Sequence, residues 1–183
     1  MKKELSSNLN LSIVWNVYDN YEDLFITSEI IHYQNQKNNY FQNIYQASQG
    51  GFHKQPDKNF IKYLEKHMNI DVDENLEIIK DYKKHIGILR LVIGYKNAFK
   101  FAVSNNSKYL IISNADSNIL DLNELKKILI SKDFENKSIG LRKGLITGLY
   151  FTLGECIPFF DDHFILLNIE NCLKYKVFDY EKL

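Results

Sequence analysis

Lys108-Tyr109-Leu110-Ile111-Ile112-Ser113-Asn114-Ala115-Asp116-Ser117-Asn118 is a short apolar run that stops abruptly in small polar and acidic residues. An apolar run of this length without polar alternation suits a central strand of a parallel sheet, covered on both faces. In open α/β sheets, ligands bind beyond the carboxyl ends of such strands. The stretch therefore predicts an α/β fold, a three-layer sandwich with a mostly parallel sheet, and it places chemistry at Asn114, Asp116 and Asn118.

The flanking sequence extends this pattern in both directions. Upstream, Tyr95, Ala98, Phe99 and Ala102 recur at i, i+3, i+4 and i+7, which predicts a helix beginning near Gly94 and packing small residues closely onto the sheet. Downstream, Asp121 caps a helix with Glu124 three residues on, and Leu122, Leu125, Ile128 and Leu129 form its buried stripe. Near the N-terminus, Leu11 to Val17 reads as a first strand, Tyr18-Asp19-Asn20 as a turn, and Asn20 as the cap of a helix with Leu24, Phe25, Ser28 and Ile31 at helical spacing. Phe41 to Ser48 reads as a second strand, followed by Gln49-Gly50-Gly51, where paired glycines mark unusual φ or a close approach. Asp57 to Met68 has the apolar spacing of an amphipathic helix with its lysines in solvent, and Leu76 to Ile79 is a candidate third strand. Ser138 to Leu153 alternates strand-forming residues with Gly140, Gly144 and Gly148, read as bulges or close approaches, and carries Arg142 and Lys143.

A second cluster lies near the C-terminus. Asp161-Asp162-His163 is framed by Phe159, Phe160 and Phe164. Carboxylates set against apolar walls rise in pKa toward a useful general base. The plain alternative is that Asp161 or Asp162 caps a helix from Phe164 to Tyr175. His32, His53, His67 and His85 read as structural histidines.

Composition narrows the class. With 183 residues and 45% hydrophobic content, the chain can bury one core, and no repeat or linker divides it, so residues 1–183 read as one domain. The 23 basic residues equal the 23 acidic ones, and Arg90 and Arg142 are the only arginines, which argues against nucleic acid as a partner. Cys156 and Cys172 read as reduced thiols. Lys2 and Lys3 precede no apolar leader, and no run is long enough to span a bilayer, so the expected location is the cytoplasm, with peripheral association at the inner membrane surface left open.

The order of these pieces, a glycine-bearing segment and helix feeding an apolar strand that ends Asn-Ala-Asp, resembles the region around the metal-binding DxD motif of nucleotide-sugar glycosyltransferases of the A-type fold, in particular the large inverting family. Asn114 stands where the family has its first Asp. The turn Tyr18-Asp19-Asn20 is similar to the family's nucleotide-contacting turn, and Phe160-Asp161-Asp162-His163-Phe164 to its acceptor-side acidic segment. The resemblance covers Leu11 to Tyr180. It implies transfer of a sugar from a nucleotide-sugar donor to a glycan or lipid-linked acceptor, assisted by Mn²⁺ or Mg²⁺. It further implies Asp116 as the metal residue with Asn118 and His163 as further candidates, and Asp161 or Asp162 as the base. Tyr18, Asp19, Gly50, Gly51, Arg90, Asn97, Asn114 and Arg142 would then bind the nucleotide. Homo-oligomerisation is left open. The rival is a non-catalytic protein that keeps the fold for nucleotide or partner binding. A sugar nucleotidyltransferase is disfavoured, because residues 1–49 contain no glycine for a phosphate loop after the first strand.

Overall fold

β1 (Asn10–Val17) and β4 (Tyr109–Asn114) lie side by side at the centre of a six-stranded sheet. The computed structural model describes residues 9–18, 20–50, 56–69, 86–116, 121–137, 139–145 and 158–176. The remaining elements are α1 (Tyr21–Asn38), β2 (Asn43–Gly50), β3 (Lys66–Asn69), α2 (Ile86–Ser104), α3 (Leu122–Leu129), α4 (Lys132–Glu135), β5 (Ile139–Leu145), β6 (Pro158–Asn168) and α5 (Ile169–Lys174). The strand order is β3-β2-β1-β4-β6-β5. The first four strands run parallel, and β6 runs antiparallel to both β4 and β5. This is an α/β architecture with a mixed, mostly parallel sheet, compatible with a Rossmann-like fold.

The apolar strands bury both faces, as the Lys108 stretch predicts. Leu11, Ile13, Trp15 and Val17 of β1 and Tyr109 and Ile111 of β4 point to one face, under Leu24 and Ile31 of α1 and Leu122, Leu125 and Leu129 of α3. Val14, Leu110 and Ile112 point to the other, under Ala98, Phe99 and Ala102 of α2 and Ile169 and Cys172 of α5. The period of two along each strand thus feeds two cores. At the amino edge of the sheet the hydroxyls of Ser12 and Ser107 meet at 2.7 Å, fixing the start of β4 beside β1.

The helix ends follow local chemistry. Asp121 accepts hydrogen bonds from the backbone N–H groups of Asn123 (2.8 Å) and Glu124 (3.2 Å), the expected cap of α3. Asn20 occupies the cap position of α1, but its Oδ1 accepts instead from the N–H of Tyr18 at 3.3 Å, so it closes the turn after β1 rather than the helix. α1 ends at Asn39, left-handed at φ 48°, a conformation asparagine tolerates. Asn35 then clasps Phe41, accepting from its N–H at 3.0 Å and donating to its carbonyl at 3.3 Å.

Three expectations are corrected. Residues 57–63 form successive turns rather than a helix, with Phe60 N–H bonded to Asp57 O and Leu64 N–H to Ile61 O, and Lys66–Asn69 is the third parallel strand. Asp57 competes with a helix by accepting from Asn59 N–H at 2.8 Å, and pairing with Ala47–Gly50 takes the rest of the segment. Leu76 to Ile79 lies outside the described residues. α2 begins at Ile86, not near Gly94, because Ile86, Leu89 and Ile93 carry the helical spacing upstream. Phe164 to Asn168 is strand, and the following helix is the short α5, whose cap is Asn168, accepting from Asn171 N–H at 3.2 Å, rather than Asp161 or Asp162. The run Phe164-Ile165-Leu166-Leu167 gains more by pairing with β4 than by coiling at its C-terminal side. Ser138 to Leu153 contributes β5, with a register break between Leu141 and Arg142, and its remainder from residue 146 lies outside the described residues. Among the described residues, no helix is long and apolar enough to cross a membrane.

Candidate functional site

The strand order creates a switch point. From β1 the chain passes to β2 across the face covered by α1, and it later returns to the other flank of β1 as β4 across the face covered by α2. The crossovers diverge between β1 and β4, and the crevice at the carboxyl ends of such a pair is where open α/β sheets bind ligands.

A row of amides crosses this end on the α2 side. Asn16 of β1 is in register with Gln49 of β2 on one flank and Asn114 of β4 on the other. Gln49 is fully buried, Asn16 nearly so, and Asn114 half-buried. Gln49 Nε2 donates to the carbonyl of Gly94 at 2.8 Å and to Asn16 Oδ1 at 3.4 Å, so the amide bridges the sheet and α2. A Cβ on Gly94 would lie 3.3 Å from that nitrogen, which accounts for glycine at this point in the helix. Gln49 Oε1 has no hydrogen-bond partner among the described residues. An orphaned buried acceptor is costly to leave unmade, roughly 1–3 kcal/mol. Beyond the row, Ala115 N–H donates to Asn16 O at 3.1 Å and Thr27 Oγ1 donates to Ala115 O at 3.4 Å. These bonds tie the start of the turn to β1 and α1, and Asp116 follows, exposed.

The opposite face of the same edge is closed by protein. Ser48 Oγ and His67 Nδ1 lie 2.7 Å apart, Tyr21 stands edge-on to the imidazole, and a Cβ on Gly50 would meet His67 Cε1 and Nε2 at 2.7 Å and Tyr21 Oη at 2.8 Å. Gly50 is therefore a close approach, as its sequence context predicts, and what approaches is the protein's own pair of rings. Burial lowers the pKa of His67 below its ordinary value.

β6 supplies the side of the crevice. Ser113 is opposite Phe164, and the antiparallel direction carries the residues before Phe164 past the end of β4. One further step in that register sets His163 level with Asn114, and Asp161 and Asp162 follow beyond. Asp161 is the partner of Arg142, whereas Leu141 pairs with Ile165, so residues 162–164 fall outside the β5 ladder as a bulge at the rim. The backbone thus brings Asn114, Asp116, Arg142, Asp161, Asp162 and His163 to one end of the sheet, from three separate parts of the chain. Tyr18 stands exposed just after β1. Arg90 lies one turn before Gly94 in α2, and therefore at the same end. Asn97 lines a cavity between α2 and β3. Asp19, Gly51 and Asn118 lie outside the described residues.

Among the described residues, no group of three or more His, Cys, Asp or Glu side chains is placed to hold a metal by itself. A lone exposed carboxylate with an amide neighbour suits Mg²⁺ or Mn²⁺ only where a ligand brings further oxygens, which is the usual situation for Mg²⁺ with phosphates. Of the amide row only Asn114 stands out in the sequence; Asn16, Gln49 and the Ser48–His67 pair do not. Their one signal is a polar residue near the end of the largely apolar β1 and β4, whereas β2 and β3 are polar along much of their length. In comparison with known proteins, no family model matches the chain, and no curated protein sequence matches it.

Proposed function

We propose that this chain is a glycosyltransferase-like protein of the A-type fold, acting from the cytoplasm on a nucleotide-sugar donor and a glycan or lipid-linked acceptor. The observation that carries the reading is the switch point between β1 and β4, with Asn114 and Asp116 at its carboxyl end and the start of β6 beside it. In this reading Asp116 and the donor's diphosphate hold Mg²⁺ or Mn²⁺, which neutralises the charge developing on the leaving diphosphate. The chain's own contributions are orientation and proton transfer. Asn114 presents its amide to the donor, with the buried Asn16 and Gln49 fixing the strand ends behind it, and Arg142 adds positive charge beside the phosphates. Asp161 or Asp162 takes the proton of the acceptor hydroxyl, a step worth about 10²–10⁴-fold in rate for a positioned base.

The experiment is calorimetry with uridine and guanosine diphosphates, with and without Mn²⁺, on wild type and Asp116→Ala, followed by donor turnover against a panel of glycan acceptors. Metal-dependent binding that Asp116→Ala abolishes, with turnover that Asp161→Asn or Asp162→Asn reduces, is the expected outcome. Equal, metal-independent affinity in both proteins overturns the metal role of Asp116. A second reading, a non-catalytic nucleotide-binding protein, is favoured by one observation: Asn114 leaves the turn after β4 a single described carboxylate, Asp116. Nucleotide binding without turnover by any acceptor selects it.

A further inference from the structure

α2 overhangs the edge of the sheet. Asn97, Lys100, Phe101 and Ser104 recur at i, i+3, i+4 and i+7 and so form one stripe along the helix. The adjoining Ala98 and Ala102 are fully buried against the sheet. The Asn97 stripe instead faces Lys66 and Met68 of β3 across a cavity of about 570 Å³. That volume lies within the roughly 300–1,000 Å³ of small-molecule sites.

Its lining is divided in chemistry. Met68 and Phe101 are more than nine-tenths buried and supply an apolar floor. Lys66 and Lys100 are exposed and stand on opposite walls, one on the strand and one on the helix. Among the described residues, no acidic side chain lines the cavity. Two cations facing one space without a counter-charge favour an anion between them. Asn97 and Ser104 add hydrogen-bonding groups on the helix wall.

We propose that this cavity binds a small organic anion, its charged end held between Lys66 and Lys100 and its apolar body laid on Met68 and Phe101. The site is separate from the crevice between β1 and β4: Met68 is one strand further out than Gln49, its register partner. The proposal is independent of the glycosyltransferase reading.

The test is a fluorescence titration with 8-anilinonaphthalene-1-sulfonate, an aromatic anion that brightens on apolar surface, beside its neutral analogue N-phenyl-1-naphthylamine. Expected is saturable one-to-one binding of the sulfonate, weakened about tenfold by Lys66→Gln with Lys100→Gln, as loss of paired charge contacts implies. The control Lys126→Gln with Lys127→Gln, on α3 and outside the cavity lining, leaves binding unchanged. Decanoate and phenyl phosphate serve as competitors that separate a carboxylate ligand from a phosphate ligand. Displacement by either supports the site, and displacement by neither overturns it. Equal affinity in the two double variants, or a neutral analogue that binds as tightly as the sulfonate, also overturns it. NMR amide shifts on adding the sulfonate must centre on Lys66, Met68, Asn97 and Phe101, and shifts centred elsewhere reject the assignment.

Discussion

His67 shows how one side chain can make the sheet edge sensitive to pH. Its Nδ1 is engaged by Ser48, its Nε2 is buried without a partner among the described residues, and Tyr21 stands against the ring. The folded protein therefore favours the neutral imidazole, whereas the unfolded chain protonates it below about 6.5. Since the unfolded state then binds more protons, stability from this group is present above that pH and is lost as pH falls toward the lowered folded value. Urea melts between pH 7.5 and 5 are expected to show a falling midpoint in wild type and a shallower fall in His67→Asn, and parallel curves would remove His67 as the cause. At Gln49, Gln49→Met keeps the volume and gives up the two donated bonds, so stability should fall by about 1 kcal/mol. If the amide row orients the donor, nucleotide affinity falls with it, which calorimetry on the same protein reads directly. Neither residue was legible in the sequence as part of a site. A buried amide earns its partners from register across strands, and register between β1, β2 and β4 is a tertiary property that one chain's spacing does not display. That Asn114 and Asp116 close the central strand, by contrast, was legible, because an apolar strand announces its own end.

Elements respond to packing that can be read atom by atom. An alanine methyl at Gly50 would run into two rings held from different elements, His67 on β3 and Tyr21 on α1, and neither can swing aside as a flexible chain end would. Gly50→Ala should destabilise by about 1–3 kcal/mol, the usual cost of overpacking, measured by denaturant titration. A neutral Gly50→Ala would mean that the three elements meet less tightly than described. In the middle of the sheet, Leu110 is fully buried between β4 and α2, and Leu110→Ala should cost about 2–5 kcal/mol. Val103, exposed on the outer side of α2, should tolerate alanine within about 0.5 kcal/mol. β1, β4, α1 and α3 were legible because their apolar period agrees with their final surroundings. The segment from Asp57 to Met68 was misread because its apolar residues fit a helical period equally well, and pairing with β2 decided the matter. The run after His163 was misread for a similar reason: an Asp pair before apolar residues is a fair helix start until a strand lies alongside.

For the whole molecule, the helix that closes the second core offers a probe of global opening. Cys172 of α5 is buried, and burial pushes its thiol pKa up to about 11, so the reactive thiolate is scarce near neutrality. In a Cys156→Ser background, labelling by a disulfide reagent at pH 8 should be slow in the folded protein and should accelerate in step with urea unfolding. Rapid labelling in buffer would show α5 opening independently of the sheet.

The central pairing of the sheet also has a history in time. β1 is synthesised well before its partner on that side: its flank toward β4 is completed only by Tyr109–Asn114, and β4 in turn waits for Phe164–Asn168. At about 5–20 residues per second of synthesis, that flank stays open for something like 5–20 seconds. Until α2 follows late in this interval, the nascent chain displays the apolar strand Leu11–Val17 with α1 and β2 beside it. A stalled chain that ends before β4 presents an unfinished strand edge, the form that chaperones capture and that pairs edge to edge with its neighbours.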